Sequence, residues 1–179
     1  FVSTGRPNDP GYSGYGLSIN GGADIRTRNM NGITGWGFTG TNRINGWHVT
    51  DCVLNRVDVH DSAHNVFVSN CELHDIGVVY GWGGGILSVR DCRLYNCAAV
   101  SVRSDYGGTF FGSFVIDGMD VVHDGTNRYY VLDGQRYKPG ASTDVLLPRE
   151  ITIKNVRRHN NTLSSNAELQ PFDIQVEPT

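Results

Sequence analysis

The chain has 179 residues, a formal net charge of −3 and 18% charged residues. This is enough for one domain with a real core, while the balance offers no basic footprint for nucleic acid and no disordered polyelectrolyte. No apolar run is long enough to cross a bilayer. A start at Phe1 without a signal peptide reads as an excised or processed piece of something longer.

Residues 1–22 are rich in Gly, Tyr, Ser and Pro, with Gly11-Tyr12-Ser13-Gly14-Tyr15-Gly16 and Gly21-Gly22, and read as an irregular segment or cap. From residue 23 to 124 one phrase recurs. Trp47-His48-Val49-Thr50-Asp51-Cys52-Val53-Leu54 returns as Val66-Phe67-Val68-Ser69-Asn70-Cys71-Glu72-Leu73 and again as Leu87-Ser88-Val89-Arg90-Asp91-Cys92-Arg93-Leu94. Weaker copies begin at Ile25, Phe114 and Ile151. A period of about twenty with alternating apolar residues inside it is the mark of a β-solenoid.

Aligned, the copies make three inward columns: Ile25, Trp47, Val66, Leu87, Phe114, Ile151; then Thr27, Val49, Val68, Val89, Ile116, Ile153; then Met30, Cys52, Cys71, Cys92, Met119, Val156. The residue before the third column is Asn29, Asp51, Asn70, Asp91, Gly118 or Asn155. These types tolerate a left-handed backbone, which predicts a one-residue bend between two strands in every rung. Stacked cysteines have parallel rather than facing Cβ vectors, so the column is expected to hold buried free thiols instead of disulfides. Zinc is the alternative; it needs four convergent ligands, and the neighbouring columns are apolar.

After the Leu column come polar corners at Asn55-Arg56, His74-Asp75, Tyr95-Asn96 and His123-Asp124, and then third strands at Val57–His60, Ile76–Val79 and Val100–Arg103. Alternation points Val57 and Val59 inward and Asp58 and His60 outward. Residues 125–149 break the period. Their centre, Arg128 to Tyr137 with Asp133-Gly134 inside it, predicts a protruding β-hairpin. Residues 150–179 carry the last rung and a polar tail, with Phe172–Val176 as a closing strand.

The chemistry-bearing residues gather on the third strands and the loops after them. Arg56, Asp58, His60, Asp61 and His64 come first, then Tyr80 and Trp82 among glycines, then Arg103, Asp105 and Tyr106. Carboxylates, imidazole and guanidinium beside aromatic walls suit a carbohydrate cleft, where sugars stack on rings and bind through bidentate polar groups. Asp58, His60, Arg103 and Asp105 are the catalytic candidates; Arg56, His64, Tyr80, Trp82 and Tyr106 are the substrate-binding ones. Three mechanisms stay open. In β-elimination on a uronic acid, His60 takes the C5 proton and Arg103 neutralises the carboxylate. In hydrolysis, Asp58 and Asp105 flank the bond. In phosphodiester cleavage, Asp58, His60 and His64 hold a metal.

Each candidate also has a plain structural reading. Outward Asp58 and His60 are solvated, Arg103 and Asp105 form an ion pair bracing a loop, and Trp82 anchors its loop. Tyr129, Tyr130 and Tyr137 are a hairpin's own cross-strand pairs. His74, His123 and His159 are turn residues, and Asn160-Asn161-Thr162 is a common accidental sequon.

The repeated Val-x-Asp/Asn-Cys-x-Leu phrase resembles the pectate-lyase-like right-handed parallel β-helix, over about Gly16–Val156. The run Arg56-Val57-Asp58-Val59-His60, with His64 following and then Arg103-Ser104-Asp105-Tyr106-Gly107, is similar to β-helix proteins of bacteriophage tails and prophages. The resemblance implies an all-β right-handed parallel β-helix of about six rungs of three strands. It further implies action on, or binding to, a surface polysaccharide, a homotrimer, and a place outside the cell or on a virion. The cluster of aspartates that binds calcium in pectate lyases is not evident, a departure from the family; no cofactor is assigned, and a divalent metal such as calcium stays open. A non-catalytic glycan-binding or trimerising tail fragment is the alternative function.

Overall fold

The computed structural model describes residues 16–33, 39–103, 109–123, 129–133, 146–160 and 169–173. The strands are β1 (Leu17–Arg28), β2 (Asn31–Gly32), β3 (Thr39–Thr50), β4 (Val53–Asp61), β5 (Ala63–Ser69), β6 (Glu72–Tyr80), β7 (Trp82–Arg90), β8 (Arg93–Tyr95), β9 (Ala98–Val102), β10 (Thr109–His123), β11 (Tyr129–Asp133), β12 (Glu150–Asn160) and β13 (Leu169–Asp173).

Neighbouring repeats pair in parallel, in the register the phrase predicts. Trp47 lies beside Ile25 and Val66, Val66 beside Leu87, and Phe114 beside Leu87 and Ile151. The second column matches in the same way from Thr27 to Ile153. All six residues at the expected bend have positive φ: Asn29 54°, Asp51 57°, Asn70 52°, Asp91 51°, Gly118 75° and Asn155 53°. At Gly118 the need for glycine is steric as well, because a Cβ there would lie 2.5 Å from Asp91 Oδ1.

The closure of the sheet overturns the expected architecture. β3 pairs with β4, β4 with β6, β6 with β8, β8 with β10, β10 with β7, β7 with β5, and β5 with β3. Seven parallel strands thus form a closed barrel, and β1, β2, β9, β11, β12 and β13 lie outside it. The open right-handed parallel β-helix with three separate strands per rung is corrected accordingly. The physical cause is that several strands continue through their bends and change partner. β3 gives Thr39–Asn42 to β4 and Asn45–Thr50 to β5, turning at Arg43 and Gly46 (φ 55° and 79°). β10 gives Thr109–Asp117 to β7 and Asp120–Val122 to β8, turning at Gly118. A repeat read as a phrase fixes register, but it does not say whether a strand stops at a left-handed residue or runs through it.

The core holds Trp47, Val49, Leu54, Val66, Val68, Leu73, Leu87, Val89, Leu94, Phe114, Ile116 and Met119, all fully buried. Thr27 sits in an apolar column for a reason: its hydroxyl accepts the indole N–H of Trp47 at 3.0 Å, a buried donor that needs a partner. Cys52, Cys71, Cys92 and Cys97 are buried free thiols. Cys52, Cys71 and Cys92 donate to the carbonyls of Thr50, Ser69 and Arg90 at 3.1, 3.2 and 3.1 Å. Burial pushes the Cys97 thiol up, so it behaves as a small apolar residue rather than a nucleophile.

Of the expected hairpin, Tyr129–Asp133 forms β11, which lies between β9 and β13 and is parallel to both. With Leu132 and Asp133 paired on each side in parallel, no lateral edge remains there for an antiparallel arm. Gly134–Tyr137 falls outside the described residues. β13 covers the first part of the expected closing strand.

Candidate functional site

β4 carries Arg56, Asp58 and His60 at alternate positions, facing away from Val57 and Val59. Across the sheet, Val59 pairs with Tyr80 and Tyr80 with Val102, so the strand ends line up as His60, Gly81 and Arg103. Two backbone bonds fix this row: Gly81 N–H donates to Val59 O at 2.7 Å, and Arg103 N–H to Tyr80 O at 2.8 Å. Gly81, without a side chain, stands between His60 and Arg103 in this row.

The result is a compact charged cluster. Asp58 Oδ2 faces the Arg56 guanidinium, and Arg103 Nη1 donates to the same oxygen at 3.4 Å. Asp58 Oδ1 lies 3.0 Å from His60 Nε2, and Arg103 Nη1 is 3.3 Å from that same nitrogen. Nε2 cannot both donate to the carboxylate and accept from the guanidinium. A guanidinium can only donate, so Nε2 accepts from Arg103, and the Asp58 carboxylate lies against the same edge of the ring.

Burial corrects one expectation. The side chains of Arg56 and Asp58 are 0% exposed, Arg103 6% and His60 14%, so Asp58 is not an outward solvated carboxylate and His60 is the member that meets solvent. Both faces of β4 are covered over Leu54–Val59. Alternation assumed water on the second face, whereas Arg56 and Asp58 are charges buried together, each offsetting the other's desolvation.

The other candidates divide. Tyr80 does not join the cluster: it is a core residue whose hydroxyl donates to Ala63 O at 2.6 Å and whose ring stands edge-on to Phe110 at 4.8 Å. His64 and Trp82 are half-buried on β5 and β7. Asp105 and Tyr106 lie outside the described residues, and so does their pairing with Arg103 or Asp58. Among the described residues no three His, Cys, Asp or Glu side chains converge to hold a metal, so Asp58, His60 and His64 do not form a ligand set. Sequence reasoning missed Gly81 as the strand-end residue between His60 and Arg103. For Gly81 the signal was its position between two aromatics at a strand end.

A groove of about 530 Å³ lies elsewhere, along the bends, lined by Asp51, Asn70, Glu72, Asp91, Arg93, Asp120 and Arg157 among others. Its side chains bind one another across rows. Asn70 Nδ2 donates to Asp51 Oδ1 at 2.6 Å, Arg28 Nε to Asp51 Oδ2 at 2.8 Å, and Arg157 Nε lies 3.1 Å from Asp120 Oδ1. The Asn70 and Arg28 bonds hold the Asp51 carboxyl below the usual carboxylate range, and His159 and then Arg157 do the same for Asp120. These are ties between rows.

No family model, no curated protein and no solved structure matches the chain. The resemblance to pectate-lyase-like and phage-tail proteins therefore rests on the quoted phrases alone, and the closed barrel removes its fold.

Proposed function

We propose that the protein cleaves an anionic polysaccharide by β-elimination at a uronic acid, with His60 as the base. The single observation that carries this reading is the Asp58–His60 contact of 3.0 Å beside the Arg103 guanidinium. Asp58 and Arg103 together hold the imidazole in place with one edge toward solvent. Arg103 supplies positive charge beside His60, which favours a uronic carboxylate at that edge and acidifies the adjoining C5–H. In the step, the His60 imidazole takes the C5 proton, the C4–C5 double bond forms, the C4–O4 bond breaks, and the departing O4 takes a proton from solvent.

Hydrolysis fits less well, because Asp58 is enclosed by two guanidiniums and an imidazole and cannot approach a glycosidic bond as acid or nucleophile. A metal-dependent phosphodiesterase lacks a convergent ligand set among the described residues. A second reading is favoured by the complete burial of Arg56 and Asp58: the cluster braces the barrel, and the protein binds glycan without cutting it.

The test is incubation with a panel of uronic-acid polymers, followed by the ultraviolet absorbance of the unsaturated product and by new reducing ends. Elimination raises both, and His60→Ala lowers kcat about 10²- to 10⁴-fold with folding kept. New reducing ends without absorbance would replace elimination by hydrolysis. Retention on polymer with neither signal would leave the binding reading.

A further inference from the structure

β4 carries its three polar side chains at graded depth. His60 keeps 14% of its side chain exposed, while Asp58 and Arg56 keep none. The opening of the cluster is therefore at His60, and Arg56 lies at the closed end. A guanidinium without exposed surface does not touch a polymer, and the elimination step gives it no task.

What Arg56 touches is Asp58. Its guanidinium faces Asp58 Oδ2, the oxygen to which Arg103 Nη1 also donates at 3.4 Å. The other oxygen, Oδ1, lies 3.0 Å from His60 Nε2, and Arg103 Nη1 is 3.3 Å from that nitrogen. Both contacts that place the imidazole thus run through the orientation of one carboxylate. The last torsion of an aspartate is broad and roughly two-fold, so its rotamer alone does not set the plane of the oxygens. A guanidinium sets it, because its planar fork meets a carboxylate with direction as well as charge.

The strand beneath is held separately. Thr39 Oγ1 donates to Arg56 O at 3.2 Å and Thr41 Oγ1 to Asp58 O at 3.3 Å, both bonds buried. They go to the main chain and do not involve the guanidinium, so β4 keeps these anchors when the Arg56 side chain is changed.

We propose that Arg56 is a positioning residue: it fixes the Asp58 carboxylate from the closed end, and through Asp58 and Arg103 it sets the place of the His60 imidazole. Its consequence for turnover rests on the elimination reading above, whereas its consequence for the ring does not.

The test uses the full chain with isotopically labelled histidine, in which magnetic resonance reads the rings of all six histidines. The His60 signal is identified by its loss in His60→Ala, and turnover on polygalacturonate is followed in parallel. Arg56→Met is expected to displace the His60 signal while the other rings keep theirs, and to lower kcat about 10- to 100-fold with KM within about twofold. Arg56→Lys restores the charge without the fork and should lower kcat only about three- to tenfold. A raised KM with unaltered kcat in Arg56→Met would make Arg56 a substrate contact and overturn the proposal. A folded Arg56→Met with the wild-type His60 signal would overturn it whether or not any form cleaves. A displaced signal without cleavage by the wild-type chain keeps the positioning role and removes the elimination reading. Should Arg56→Met fail to fold, Arg56→Lys decides: a displaced His60 signal supports the role, and a wild-type signal overturns it.

Discussion

At the bend carrying Asp51, Asn70 and Asp91, polar side chains stand at the surface and bond to the row above or below, whereas Arg56 and Asp58 on β4 are closed off from water. The bend repeats in every row with a left-handed backbone and a Cys, Met or Val turned inward, and Asn70 and Asn155 tie neighbouring rows to Asp51 and Asp117. The β4 cluster occurs once. Its residues are drawn from β4 and the end of β9, brought together across β6 by the backbone bonds of Gly81 and Arg103. The bend is replaceable scaffolding; the cluster is a singular arrangement of charge, which is why function is sought there.

The largest expected effect lies in that cluster. Asp58→Ala leaves buried guanidiniums facing each other and should cost about 3–5 kcal/mol in urea unfolding. A loss under about 1 kcal/mol would mean that the cluster is far more hydrated than its burial indicates. Gly118→Ala comes next, since it forces a Cβ against Asp91 at a φ of 75°; the expected cost is about 1–3 kcal/mol. A neutral result would show that the bend can relax. Cys71→Ala should cost about 1–2 kcal/mol, the loss of a small buried group and of its packing, and should leave thiol-dependent behaviour unchanged because no disulfide is present.

The smallest effect is one of pH and belongs to the bend. The Asn70 bond and Arg28 lower the Asp51 carboxyl, Asn155 and then Lys154 lower that of Asp117, and His159 and then Arg157 lower that of Asp120. A carboxyl whose folded pKa is depressed contributes stability above its unfolded value, near 4 by general reference, and loses it as pH falls through the folded value. Thermal stability should therefore decline below about pH 4, and Asn70→Ala should flatten that decline. An unaltered acid slope in Asn70→Ala would remove this tie from the account.

The same contrast explains what could be read from the sequence. Repetition made the registers legible: Trp47, Val66, Leu87 and Phe114 fall beside one another because the alternation and the Asx-Cys bend recur together. The continuation of β3 through Arg43 and of β10 through Gly118 carried no separate signal, so the closed barrel was hidden behind a solenoid pattern. At the site, Asp58, His60 and Arg103 were legible as residues of one face of the third strands, while the direct contact of Arg103 with Asp58 and His60 was not. The burial of Arg56 and Asp58 was not, because alternation reports which face a side chain is on and says nothing of whether that face meets water. Tyr80 illustrates the reverse error: an aromatic beside glycines suggested a sugar wall, and its hydroxyl instead anchors Ala63 from inside the core.

The account stands most directly on the exposed edge of the cluster. The measurement is the appearance of unsaturated product from a uronic-acid polymer, comparing the wild-type chain with His60→Ala, both checked for native circular dichroism. The account predicts rising ultraviolet absorbance for the wild type and its near-complete loss in His60→Ala. Equal rates in the two proteins, or chain shortening without unsaturation, would contradict it.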